Sequence, residues 1–226
     1  MPSTSTRLPV SRASAAGLIL ALGSGPVLSL LPGQAHQRIT DVPQDIVIVV
    51  FEWVVALALV AIVVWWERQP LSSIGFRAPS LRDCVAFVVI GVGMYAVLAV
   101  SSIRAHAPDA VPPAEIAAVP LALRIVMFLT AGFCEEVMLR AYPIERLTPL
   151  TGQRWINGAI VVVFFTLVHL PRYGISPSLL AVAIIATFLT ALYLWTRNFW
   201  MCATLHAFVD CLGLVVGPAL AARGLL

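Results

Sequence analysis

The sequence predicts an all-α, polytopic transmembrane helical bundle of about seven spans. Three observations carry this. First, 60% of the 226 residues are hydrophobic and only 11% are charged, whereas a soluble domain carries about 25% charged residues. Second, the mean hydropathy is +0.96. Third, the apolar residues fall into runs approaching the roughly 20 residues that a helix needs to cross the hydrocarbon core.

The runs are 13–31, 46–66, 84–103, 121–147, 155–170, 177–195 and 199–220. The first follows Arg7 and Arg12. Its length and the poor cleavage site after it favour a retained helix over a signal peptide. The runs 46–66 and 84–103 are the cleanest, and Glu52 within the former reads as structural. The Pro-rich stretch 108–120 is a loop with at most one amphipathic turn, and residues 1–226 read as a single transmembrane domain without repeats. The fourth run meets charge at Glu135, but its residues continue to suit a helix, bent at Pro143 and turning near residue 151.

Charge and cysteine usage narrow the function classes. The net charge of +3 is scattered over arginines, with lysine absent, so nucleic acid is not an implied partner. With the N-terminus in the cytoplasm, that side holds Arg7, Arg12, Arg68, Arg77, Arg82, Arg146, Arg154 and Arg197. The other side holds Arg38, Arg104, Arg172 and Arg223. Eight against four supports a multi-pass cell-membrane protein with its N-terminus inside. Trp65, Trp66, Trp155, Trp195 and Trp200 fall at cytoplasmic ends, where interfacial aromatics anchor helices. Cys84, Cys134, Cys202 and Cys211 all lie in apolar runs and read as buried hydrophobes rather than a disulfide framework.

The functional question is posed by EEVMLR at 135–140, FTLVH at 165–169 and LHAFVD at 205–210. Ionised groups in hydrocarbon cost several kcal/mol unless paired or watered, so about six in three helices mark a site. Glu135 lies about sixteen residues before the turn at 151 and His169 about eighteen after it, so an antiparallel hairpin brings them to one depth. His206 and Asp210 lie about two and a half and three and a half turns beyond the turn at 196–198, in the cytoplasmic half. Glu136 and Arg140 are i,i+4 and share a face, which Glu135 does not. Cys202, His206 and Asp210 form one stripe, continued by Gly213 and Gly217 for close helix contact.

These groups suit general-base hydrolysis. A carboxylate and a histidine beside one water take its proton. A donor must then meet the oxygen that gains charge. His206 supplies one, and Asp210 orients His206 or donates if protonated. Arg140 holds Glu136 ionised and in place. A metal arrangement competes: Glu135, His169, His206 and a water would fill the four positions of zinc, with Asp210 behind them. The HExxH signature is absent.

The three segments resemble the E-E-x-x-x-R, F-x-x-x-H and H-x-x-x-N/D motifs of the CPBP family, the CAAX-processing-protease and bacteriocin-immunity (Abi) membrane proteins. The match spans about residues 120–215, a CPBP-like catalytic core. The resemblance implies an intramembrane endopeptidase, similar to CaaX prenyl endopeptidases, needing no catalytic metal. Carried over, it implies that Glu135 and His169 activate water, that His206 and Asp210 form the oxyanion support, and that Glu136 and Arg140 support the site. Two residues depart from the pattern: Asp210 stands where the CaaX proteases have asparagine, and Ala141 where glycine commonly follows the arginine. The implied partners are a peptide or protein substrate, reached from the membrane or the cytoplasmic side, and the lipid bilayer. Alternatives are a membrane scaffold or bacteriocin-immunity protein, a proton-relay transporter, and a zinc-dependent metalloprotease.

Overall fold

The computed structural model describes residues 11–29, 41–105 and 111–225. Arg7 and Arg38 of the orientation count, the end of the first run at 30–31 and the start of the loop at 108–110 lie outside them. Helix α1 is Arg12–Ser29, and α2 is Val42–Ala61, prolonged by a π turn Ile62–Trp66. A 3₁₀ turn Leu71–Ile74 leads to α3, Leu81–Ala105. The short α4, Pro113–Ala118, is the amphipathic turn of the proline-rich loop. Helix α5, Leu121–Thr130, runs through two π turns, Ala131–Glu135 and Val137–Ala141, into α6, Tyr142–Thr151. Helices α7, Arg154–Tyr173, α8, Pro177–Thr196, and α9, Phe199–Cys211, follow. A π turn Leu212–Val216 joins α9 to α10, Gly217–Ala221.

Among the described residues five helices are long and apolar enough to cross a membrane: Val42–Trp66, Leu81–Ser101, Arg154–Tyr173, Pro177–Thr196 and Phe199–Ala221. The shorter apolar α1 and the charged α5–α6 rod complete seven passes, so the chain is an all-α multi-pass membrane bundle. The burial pattern agrees. On α2, Val47, Val50, Val54 and Leu57 are exposed at helical spacing, while Val55, Ala56 and Leu59 are buried. Apolar side chains outside and Glu136, Arg140 and Asn157 buried inside is the arrangement that hydrocarbon imposes.

The ends are set by local chemistry. Gly152, at φ 71°, closes α6 in the left-handed region that glycine adopts without strain. Ser176 caps α8 by accepting from the Leu179 N–H at 3.2 Å, and Asn198 caps α9 by accepting from the Met201 N–H at 3.3 Å. Pro143 opens α6 directly after the second π turn, so the bend expected there is taken up by two π turns flanking Glu136.

One end of the bundle is tied together by polar side chains. Glu67, after α2, accepts from Ser14 of α1, Tyr142 of α6 and Arg146, each at 2.8 Å. Arg146 also donates to the Ser73 hydroxyl at 2.9 Å. Arg77 pairs with Asp83 at 2.9 Å and donates to the Thr196 carbonyl, and Arg197 pairs with Glu145. Trp65, Trp66, Trp155, Trp195 and Trp200 are all exposed at this end, as an interfacial belt requires.

Two readings of the sequence are corrected. Close helix contact is made at Gly132, where an added Cβ would lie 2.7 Å from Ala207 Cβ and 2.8 Å from the Ala203 carbonyl oxygen. Nothing lies within 4 Å of a Cβ at Gly213, and at Gly217 only the Leu212 carbonyl of the same helix comes near. The stripe fails because the π turn after Cys211 rotates both glycines out of it. Cys134 and Cys202 are buried thiols, but Cys84 is exposed, because it lies on the outward face of α3.

Two outcomes are expected. Gly132→Val destabilises the protein by about 1–3 kcal/mol through overpacking against α9, while Gly213→Val leaves it unchanged; thermal unfolding in detergent measures both. Burial pushes the Glu67 carboxyl up, but its hydrogen bonds from Arg146, Ser14 and Tyr142 outweigh this and hold it below the usual carboxylate range. The stabilisation is therefore complete above about pH 4.3, the ordinary glutamate value, and is lost as pH falls through the lowered folded value. Unfolding temperatures below that pH should drop more steeply in the native protein than in Glu67→Gln.

Candidate active site

The α5–α6 rod carries Glu135, Glu136 and Arg140, α7 carries Phe165 and His169, and α9 carries His206 and Asp210. The three elements meet in the middle of the bundle. Glu136 and Arg140 form a buried ion pair one turn apart. The Arg140 Nε donates to the Thr190 hydroxyl of α8 at 3.2 Å. Its guanidinium lies over the Phe165 ring, 4.6 Å from the centroid. Burial of this pair is nearly complete, with Arg140 at 0% and Glu136 at 1% exposure, so each charge depends on the other.

The same Glu136 Oε1 lies 2.7 Å from His206 Nδ1. A carboxylate only accepts, so Nδ1 carries the proton and donates. This turns Nε2 toward the cavity, 3.9 Å from Glu135 Oε2 and 3.7 Å from Asp210 Oδ2. The residue that orients His206 is thus Glu136. Asp210 was expected to reach the other ring nitrogen, but it faces Nε2 beyond hydrogen-bond length. The reason is depth: Asp210 lies one turn further along α9, where its side chain is 31% exposed in the cavity.

His169 is oriented by its own helix. Its Nδ1 lies 2.8 Å from the Phe165 carbonyl oxygen, which can only accept, so Nδ1 donates and Nε2 keeps its lone pair. The ring stacks on Phe165 with centroids 4.7 Å apart, and Phe165 lies 6.1 Å from the His206 ring. Phe165 therefore sets the Arg140 guanidinium and the His169 imidazole relative to each other.

Glu135, His169, His206 and Asp210 line one cavity of about 420 Å³. Glu136 and Arg140 lie behind its wall. A second cavity of about 110 Å³ shares Glu52, Glu135, His169 and Arg172 with it and is lined further by Gly25, Phe51 and Met138. Among the described residues no group of three or more His, Cys, Asp or Glu side chains is placed to hold a metal ion.

Three polar residues of the site, Thr190, Asp45 and Arg172, were not singled out from the sequence, and Glu52 was singled out with a different role. Thr190 anchors Arg140 from α8. Glu52, read as structural, faces the cavity from α2 together with Asp45, and Arg172 faces it from α7. The spacing of Asp45 and Glu52, at i and i+7 on α2, was the available signal. The position of the hollow also differs from expectation. It runs from His206 away from the arginine-rich end, past Asp45 and Tyr173 to Ile116 and Ser178. His169 and Asp45 lie near the other ends of their helices.

Comparison with known proteins adds one finding. Residues 117–212 match the Rce1-like family, described as Type II CAAX prenyl endopeptidase Rce1-like. The matched Rce1-like stretch coincides with the one that resembles the CPBP family and contains all six candidate site residues. No curated protein and no solved structure matches the chain.

Removing Arg140 leaves the Glu136 carboxylate buried without its counter-charge. Arg140→Met should cost about 3–5 kcal/mol, the usual penalty for breaking a buried pair. Arg140→Met with Glu136→Leu, which removes both charges, should recover most of it. Unfolding in a graded detergent series measures both.

Proposed function

We propose that this protein is an intramembrane endopeptidase of the CAAX-protease type, with its N-terminus in the cytoplasm. The observation that carries the reading is that Glu135, His169 and His206 line one cavity inside a segment matched by the Rce1-like family.

In this mechanism a water in the cavity lies between Glu135 and the Nε2 of His169. Glu135 is the base: it takes the water proton as the oxygen attacks the scissile carbonyl carbon, and the C=O electron pair moves onto the carbonyl oxygen. The lone pair on His169 Nε2 accepts the second water hydrogen and fixes the direction of attack. His206, protonated on both nitrogens, donates from Nε2 to the oxygen that becomes negative. Only the imidazolium has that hydrogen to offer, because Nδ1–H is committed to Glu136. When the tetrahedral intermediate collapses, the C–N bond breaks and Glu135 returns its proton to the leaving amine.

The remaining residues position these groups. Glu136 fixes the His206 ring, and Arg140 supplies the counter-charge to Glu136. Asp210 faces Nε2 from 3.7 Å, so an aspartate borders the oxyanion position where an asparagine would have donated directly. All of this proceeds without a metal.

Purified protein in liposomes should cleave a peptide substrate, and cleavage should persist after exhaustive chelation. Glu135→Gln and His169→Ala should each lower the rate by about 10²–10⁴-fold, the range for a general base, with unfolding temperatures unchanged. Full activity in both variants would exclude this mechanism. Loss of activity on chelation, restored by zinc, would favour the metalloprotease arrangement.

A further inference from the structure

The cavity is lined by more charge than the proposed hydrolysis uses. Asp45 and Glu52 of α2 and Arg172 of α7 face it without a part in that chemistry. Asp45 is 2% exposed, and its Oδ2 has no hydrogen-bond partner among the described residues. A buried oxygen left unpartnered is costly, and one that faces a cavity can be satisfied by what enters it. Glu52 lines both cavities together with Glu135 and His169. The charged groups around it are Glu135, Asp210, His206 and Arg172.

These two carboxyls are short of cations. His206 lies 3.9 Å from Glu135 and 3.7 Å from Asp210, so its charge is taken up there. Arg172 is the remaining cation of the wall and acts on both Asp45 and Glu52. Its guanidinium lies over the Tyr173 ring, 5.4 Å from the centroid. One guanidinium therefore serves two carboxyls. A metal ion does not fit the gap, because among the described residues no group of three or more His, Cys, Asp or Glu side chains is placed to hold one.

The wall around the carboxyls narrows the chemistry further. Ile48 and Val49 lie between them on α2, and Val182 and Ile185 line the cavity from α8. An apolar wall with carboxyls set in it suits a side chain with an apolar stem and a cationic head, as in lysine and arginine. Seven residues separate Asp45 from Glu52 on α2, which is about 10 Å along the axis. An extended peptide advances about 3.3 Å per residue. The two carboxyls thus span about three residues of a bound chain, with Glu52 at the end that shares its walls with Glu135.

We infer that Asp45 and Glu52 form a subsite for a lysine or arginine side chain of the substrate peptide, within about three residues of the bond hydrolysed beside Glu135. That the occupant is a peptide rests on the endopeptidase reading; that it carries a cation rests on the charges of the α2 wall. Neither residue lies in the matched segment 117–212, so this selectivity belongs to the N-terminal part of the chain.

The test uses the full chain in liposomes and a quenched fluorogenic host peptide of alanine and leucine. One position at a time carries lysine or its uncharged counterpart norleucine, and mass spectrometry locates the cut. At a position within three residues of the cut, kcat/KM should be at least about tenfold higher for lysine, as expected of a hydrogen bond to a charged group. Glu52→Gln and Asp45→Asn remove charge and keep shape. In each, the lysine-to-norleucine ratio should fall toward one, whereas a merely structural role would lower both peptides together. The two positions are tested separately, so one variant that fails to fold leaves the other to decide. No lysine preference at any position, or a preference undiminished in the folded variants, would overturn the inference. If the protein cleaves neither peptide, equilibrium binding of the same peptides replaces kcat/KM. A tenfold tighter lysine peptide, lost in the variants, would then keep the subsite and remove the peptidase reading; equal binding would remove both.

Discussion

The arrangement depends on one buried charge chain, Arg140–Glu136–His206. Arg140 has no exposed surface, and Glu136 and His206 have almost none. Three ionisable groups at this depth persist only because each satisfies another. The chain joins the α5–α6 rod to α9, and through Thr190 to α8. It fixes more than packing. By taking His206 Nδ1, Glu136 decides which nitrogen of that ring faces the cavity and therefore what the ring can offer there. The cation of Arg140 is shared between Glu136 and the face of Phe165, the same ring on which His169 stacks. One pair thus sets two imidazoles from two helices.

The backbone around this chain is unusual in a matching way. Two π turns flank Glu136, spanning Ala131–Glu135 and Val137–Ala141. Such widened turns recur at functional sites because they redirect side chains without breaking the helix. Here they let neighbouring glutamates serve different surroundings: Glu136 the buried pair, Glu135 the cavity. Gly132 works one turn earlier by letting α9 approach the rod closely enough for His206 to reach Glu136. Substitution there would act on the site through the distance between helices.

Much of this was legible in the sequence. Seven apolar runs became seven helical passes, because spans of that length have few alternatives in hydrocarbon. The i,i+4 spacing announced the Glu136–Arg140 pair, and register from the turns at 151 and 196–198 brought Glu135, His169 and His206 to a common depth. What escaped was rotational and long-range. No spacing rule says that Glu136 rather than Asp210 takes the second nitrogen of His206, because that depends on the phase added by two π turns. Glu52 was noticed but read as structural, and Asp45 was passed over, because α2 packs on the site from more than 80 residues away in sequence. Depth along α9 puts His206 near the 196–198 turn, whereas the cavity walls on α2, α7 and α8 come from the opposite ends of those helices, which no single-helix register reveals.

The central claim is that Glu136 and His206 act as one unit that presents Nε2 to the cavity. A double-mutant cycle on stability, with Glu136→Gln, His206→Gln and the pair, tests it most directly. Coupling of about 1–3 kcal/mol between the two positions, as expected of residues in one buried network, is the result this account requires. Effects that add to within about 0.5 kcal/mol would mean that the two side chains do not hold each other, and the orientation of His206 would have lost its cause.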